Sequence, residues 1–115
     1  MRACVDFSAI YLYRDPIDFR KSINGLVVLV EQELCRSAFD STLYLFCNKS
    51  RDKLKMLYWD NTGFALWYKR LEEQHFKWPK KSEQTEMQLT TTELNSLLSG
   101  YDIVGHTPLK YLSSY

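Results

Sequence analysis

Asp18, Asp52, Asp60, Glu72 and Glu73 are the carboxylates of this chain that could gather at a shared metal centre. Two metal ions held by such a group clamp the attacking and leaving oxygens of a phosphodiester, which is nuclease or strand-transfer chemistry. Each of the five also has a structural explanation. Asp18 falls in an expected helix first turn, Asp60 begins an expected hairpin turn, and Asp52, Glu72 and Glu73 lie in charged runs. A Cys–His nucleophile pair is no better supported. Cys35 closes a helical pattern, Cys47 closes a strand pattern, and His75 and His106 sit in polar surroundings. There is no glycine-rich phosphate loop and no CxxC pair. The expectation is a protein without catalytic residues, metal or cofactor.

Basic residues interleaved with aromatics offer a different chemistry. Lys49, Arg51, Lys53 and Lys55 precede Trp59, and Trp67, Lys69, Arg70, Lys77, Trp78, Lys80 and Lys81 follow. Lys and Arg can contact phosphates, and exposed rings can stack on unpaired bases. The alternative is a solvated hairpin face whose Trp and Tyr belong to the core. Arg20 and Lys21 stand early in an expected helix, where the macrodipole disfavours cations. They either lay their stems along the sheet or meet a phosphate or an acidic partner. Trp, Tyr and Arg also anchor protein interfaces. Leu57, Trp59, Ala65 and Trp67 could form one apolar patch on the sheet face opposite the helix, to be covered by a partner or a second copy in a homodimer.

The elements that would position these residues follow from periodicity. AIYLY, residues 9–13, reads as a strand. Asp15 as N-cap, Pro16 at the first helical position and Asp18 at N3 predict a helix from about Pro16 to about Leu34. Phe19, Ile23, Leu26, Val27, Val30 and Leu34 form its apolar face, with Gly25 inside it for close packing on the sheet. Residues 42–47 read as a second strand. Residues 53–59 and 64–71 read as a hairpin about the Asp60–Gly63 turn, with Gly63 available for positive φ. Residues 87–89 could add an edge strand. Thr90 and Glu93 form a capping box before Leu94, Leu97 and Leu98, and Gly100 suits the position after the helix. The expected class is α+β: a small, mostly antiparallel sheet, one long helix on a face and a short C-terminal helix. Residues 1–115 make one domain, and the stretch from about 101 has no periodicity, leaving room for a flexible tail.

Composition bounds the function. At 115 residues with 45% hydrophobic and 15% aromatic content, the chain can bury a core. The longest apolar run, residues 25–30, is too short for a membrane span, and the N-terminus lacks a signal-peptide pattern. Cys4, Cys35 and Cys47 are odd in number and widely spaced, so the cytoplasm is the expected compartment. Net charge is +1 overall, yet residues 49–81 hold nine basic against four acidic side chains. The middle of the chain is basic and the end acidic.

Three segments resemble one family. They are DFRKSINGL (18–26), NKSRDKLKMLYWDNTGFALWYKRLE (48–72) with FKWP (76–79), and LTTTELNSLLSGYDI (89–103) with HTPLKY (106–111). Together they are similar to the small accessory protein (TnpB, or Orf2-like) of the family 66 insertion sequences, over nearly the whole chain. Gln74 stands where that family usually has glycine. The resemblance implies a non-catalytic protein encoded beside a larger transposase and needed for efficient transposition. Its partners would be that transposase and, if it binds nucleic acid, transposon-end DNA. The alternatives are a purely structural interaction subunit without DNA affinity, and a small metal-dependent nuclease.

Overall fold

TLYLFC, residues 42–47, alternates nothing: every residue is buried, because this strand lies in the middle of the sheet with both faces covered. A computed structural model describes residues 7–79 and 84–99 of the chain. The elements in order are β1 (Ala9–Tyr13), α1 (Ile23–Gln32), β2 (Thr42–Cys47), β3 (Lys53–Asp60), β4 (Gly63–Arg70), β5 (Glu86–Leu89) and α2 (Thr91–Leu98). The five strands form one sheet in the order β4-β3-β2-β1-β5. β1 and β2 pair in parallel, while β2–β3, β3–β4 and β1–β5 are antiparallel. The α+β expectation holds, but the sheet is mixed rather than mostly antiparallel. The reason is the connection between β1 and β2. It carries α1, and a helical crossover of that length returns the chain parallel to its start.

Two cores flank the sheet. Leu26, Leu29, Val30, Leu34 and Ala38 pack on Tyr44, Phe46 and Leu57 on one face. Leu12, Leu43, Leu45, Leu54 and Met56 meet Phe76, Trp78 and the α2 residues Leu94 and Leu97 on the other. The Thr90–Glu93 capping box is formed: Glu93 N–H donates to Thr90 Oγ1 at 3.1 Å, and Thr90 N–H to Glu93 Oε1 at 2.8 Å. β5 is fastened by Arg36, whose guanidinium lies 3.7 Å from the Tyr11 ring centroid and donates to both Glu86 carboxylate oxygens.

The first helix is shorter than its sequence predicts: ten residues, not the long element from Pro16 to Leu34. Asp15 and Pro16 do not start it. Ser22 is the N-cap residue, with extended backbone and no side-chain cap. Asp18 spends its carboxylate on the Arg20 N–H at 2.9 Å, an Asx turn that competes with helix. Ile17 N–H is taken by Cys47 O at 2.9 Å. At the far end the chain leaves through Cys35 at φ 53°. The atoms nearest a Cβ on Gly25 would be those of the Lys21 stem, at 3.5 Å, rather than the sheet, so close packing on the sheet does not explain this glycine. In the β3–β4 turn, Asn61 rather than Gly63 takes the left-handed position, with φ 54°. Gln74 does not adopt a left-handed φ, so its replacement of glycine is unstrained. Gly100 and the tail lie outside the described residues. Among the described residues no helix is long and apolar enough to cross a membrane.

Leu45 is fully buried in the central strand. Leu45→Ala is expected to lower the unfolding free energy by about 2–5 kcal/mol, read from urea denaturation, with the slope unchanged.

Candidate nucleic-acid interface

Lys55 is a buried lysine on a central strand, and its charge organises the segment above it. The chain places it directly opposite Tyr68 in the β3–β4 register, with its side chain on the α1 face. Its Nζ donates to Phe19 O at 2.8 Å and Lys21 O at 3.1 Å, and lies 4.6 Å from the Phe19 ring centroid. Burial pulls its pKa down, partly offset by Asp18. Lys55 is therefore a clasp for residues 18–22 and is not free to meet a phosphate.

The clasped segment forms one wall of a groove. Asp18, Phe19 and Arg20 face Asn48, Lys49 and Ser50 of the β2–β3 turn, with Lys53 and Tyr68 between them. The turn is rigid. Asn48 Oδ1 accepts the N–H groups of Asp52 and Lys53, each at 3.1 Å, and Asn48 Nδ2 donates to Asp52 Oδ1 at 2.7 Å. Arg51 takes φ 61° within it. From outside, Phe76 N–H donates to Arg51 O at 2.6 Å, and His75 Nδ1 donates to Ser50 O at 2.7 Å. Lys49 and Arg51 are exposed on this braced turn. β3–β4 pairing sets Arg70 directly opposite Lys53.

The groove's charges are unequally satisfied. Arg20 forms a bidentate pair with Asp18, closest at 2.6 Å, and its bonds hold the Asp18 carboxyl far below the usual carboxylate range. Arg70 pairs with Glu72 at 2.8 Å. Among the described residues, Lys49 and Lys53 have no ion pair.

Sequence reasoning named twelve residues, and the structure gathers some of them. Arg20, Lys49 and Lys53 line the groove, Arg70 is paired opposite Lys53, and Arg51 is exposed on the same turn. Lys21 is exposed and lines a neighbouring hollow against α1. The rest lie elsewhere. Trp59 is at the other end of the hairpin, opposite Phe64. Trp67 pairs with Met56 and packs into the α2-side core. Lys69 Nζ donates to Leu98 O at 3.0 Å. Trp78 is buried, its Nε1–H donating to Tyr13 O at 3.0 Å, and Lys77 is exposed beside it. Lys80, Lys81 and His106 lie outside the described residues.

The patch of Leu57, Trp59, Ala65 and Trp67 does not form. Pairing puts Leu57 and Trp59 on the α1 face with Leu66 and Phe64, and Ala65 and Trp67 on the other. That other face is covered by α2 and the Phe76–Trp78 segment. A different aromatic cluster replaces it. Phe39, Trp59 and Phe64 contact one another with centroids 5.0–5.1 Å apart, and Phe39 is 55% exposed. In the sequence Phe19 reads only as part of a helix's apolar face, Phe64 and Tyr68 only as one face of a strand, and Phe39 carries no signal. Tyr68 shares a face with Lys55 only through the hairpin register, which was the available signal.

Among the described residues, no three His, Cys, Asp or Glu side chains are placed to hold a metal. Asp52 is held below its usual range, chiefly by its hydrogen bond from Asn48. Burial pushes the Cys47 thiol up to about 12, where it is no nucleophile.

The sequence profile of a family described as IS66 Orf2 like protein matches residues 8–107. The chain is 33% identical over 87 residues to the uncharacterized protein y4jC of Sinorhizobium fredii, covering 76% of this chain and 74% of that one. It is 32% identical over 85 residues to the uncharacterized protein y4hO of the same organism, covering 74% and 73%. No solved structure matches it significantly.

Lys55→Met keeps the length of the buried stem and removes the donor. Two carbonyls lose their partner, so stability is expected to fall by about 1–3 kcal/mol in urea denaturation. Amide hydrogens of residues 18–22 should exchange faster than in the parent, while those of β2 keep their relative protection.

Proposed function

The chain belongs to the IS66 Orf2 like protein family, and from that premise we propose that it assists a larger transposase by holding DNA in the groove between residues 18–20 and the β2–β3 turn. An accessory role in the transposition of an insertion sequence is what the family implies. DNA as the bound partner rests on one observation: Arg20, Lys49 and Lys53, from two separate stretches of chain, line one concavity, with Arg70 paired opposite Lys53. Lys53 and Arg70 stand directly opposite each other, and like charges so placed repel. An array of phosphates would convert that repulsion into binding energy, with release of counterions. Transposon-end DNA supplies such an array. The chemistry of strand cleavage and joining belongs, in this reading, to the transposase.

A second reading is favoured by the Phe39–Trp59–Phe64 cluster. Partly exposed aromatics at a hairpin end suit a protein contact, either with the transposase or with a second copy of this chain. In its strict form this reading has no DNA affinity at all.

Gel shifts with transposon-end DNA at several salt concentrations test the first reading. Binding should weaken with a slope of log K against log salt of about −2 to −4, for three or four phosphate contacts. Lys49→Glu combined with Lys53→Glu should flatten that slope by roughly 1.5–2 units. Absence of binding at low salt would overturn it. For the second reading, Phe39→Ala is expected to abolish co-purification with the transposase while leaving the gel shift intact. Retention of the transposase by Phe39→Ala would exclude the cluster as its dock.

A further inference from the structure

Tyr68 is a large aromatic that the fold does not use. It is 48% exposed, one of three large hydrophobic residues so exposed among those described, and it belongs to neither core. Its neighbours on the sheet explain its position but not its chemistry. On one side stands Lys55, whose charge is already committed to two carbonyls. Above it Phe19 makes an edge contact, with centroids 5.9 Å apart, which fixes the Tyr68 ring without burying it. Lys49, Lys53 and Arg20 then border the same groove.

We infer that this groove takes single-stranded DNA, with an unpaired base stacked on Tyr68 and the flanking phosphates held by Lys49, Lys53 and Arg20. The inference rests on the DNA-binding reading above and narrows its ligand. A duplex keeps its bases stacked on one another and has no free base face for a ring to meet. Reading a duplex calls for a helix or ribbon that enters a groove of the DNA. Here the cations line a concavity of the protein, and the aromatic stands inside it. A positively charged channel with a stacking platform is the arrangement that holds single strands regardless of sequence. The platform is stiff before binding. The clasp by Lys55 and the Asn48 turn fix both walls, so little ordering remains to oppose association.

Fluorescence anisotropy with labelled oligo(dT), a hairpin duplex of equal charge and oligo(U), at one salt concentration, tests this. The full chain should bind oligo(dT) at least ~10-fold more tightly than the duplex. Tyr68→Ala should weaken oligo(dT) binding by roughly 5- to 100-fold, the loss expected for one stacked base, and duplex binding by less. Tyr68→Phe keeps the ring and should keep the affinity, and thermal melting of both variants checks that the fold survives. Equal or tighter binding of the duplex, or of oligo(U), would overturn the inference, as would wild-type affinity in Tyr68→Ala. Tight duplex binding would leave the DNA-binding reading standing, whereas no binding to any of the three would end both.

Discussion

A lysine ammonium taken out of water has three protons to place and no acceptor of its own, and Lys55 carries that demand into the middle of a sheet. It takes the carbonyls of Phe19 and Lys21. In a continuous helix those two oxygens would accept the N–H groups of Ile23 and Gly25. Committed to Lys55 instead, they mark the stretch that stays out of the helix, and the ladder begins one step later, with Leu26 N–H on Ser22 O. The unwound stretch is what lays Phe19 on the lysine and Arg20 beside the β2–β3 turn. One buried cation therefore sets both the start of α1 and the near wall of the groove.

The sheet imposes the complementary constraint. β2 is apolar on both faces, so it requires cover on both. The parallel return through α1 supplies one layer, and α2 with the Phe76–Trp78 segment supplies the other. Once both faces are used, side chains free for partners can stand only at the rims. The groove occupies one end of the β3–β4 hairpin, where the strands start and finish on Lys53 and Arg70. The Phe39–Trp59–Phe64 cluster occupies the other, beside the Asp60–Gly63 turn. Two chemically different ends on one ribbon give a protein of this size room for two kinds of contact.

Much of this was legible in the sequence because it is local. The hairpin could be read from alternation and a turn cluster, the capping box from Thr90 and Glu93, and the α+β class from element order. The family could be read from the long central block. What could not be read depends on pairing at a distance. Asp15, Pro16 and Asp18 carry sound helix-start signals, and they were overruled by a lysine 36 residues from Phe19. The parallel β1–β2 pair follows from where the crossover lands. Trp59 and Trp67 look equivalent in a string of aromatics, yet an even spacing on two antiparallel strands told nothing until the register put one with Phe64 and the other with Met56. For the same reason Tyr68 reads in the sequence only as a strand residue sharing a face with Phe64 and Leu66.

The arrangement of charge bears on how such a groove could act in a chain whose net charge is only +1. Arg20 and Arg70 each have a carboxylate already, Asp18 and Glu72, while among the described residues Lys49 and Lys53 have none. Both ion pairs are at the surface, where water and salt leave them little net worth. A phosphate offers a guanidinium the same planar, two-point recognition that a carboxylate does. The arginines can therefore change partner at small cost, but only when a phosphate is brought close by something else. In the proposed binding, Lys49 and Lys53, which have no ion pair among the described residues, would attract it. A groove built in this way has a modest field at rest and a larger one when a phosphate chain spans it. Weak attraction to isolated anions and cumulative attraction to a strand are what the proposed DNA-holding role would require.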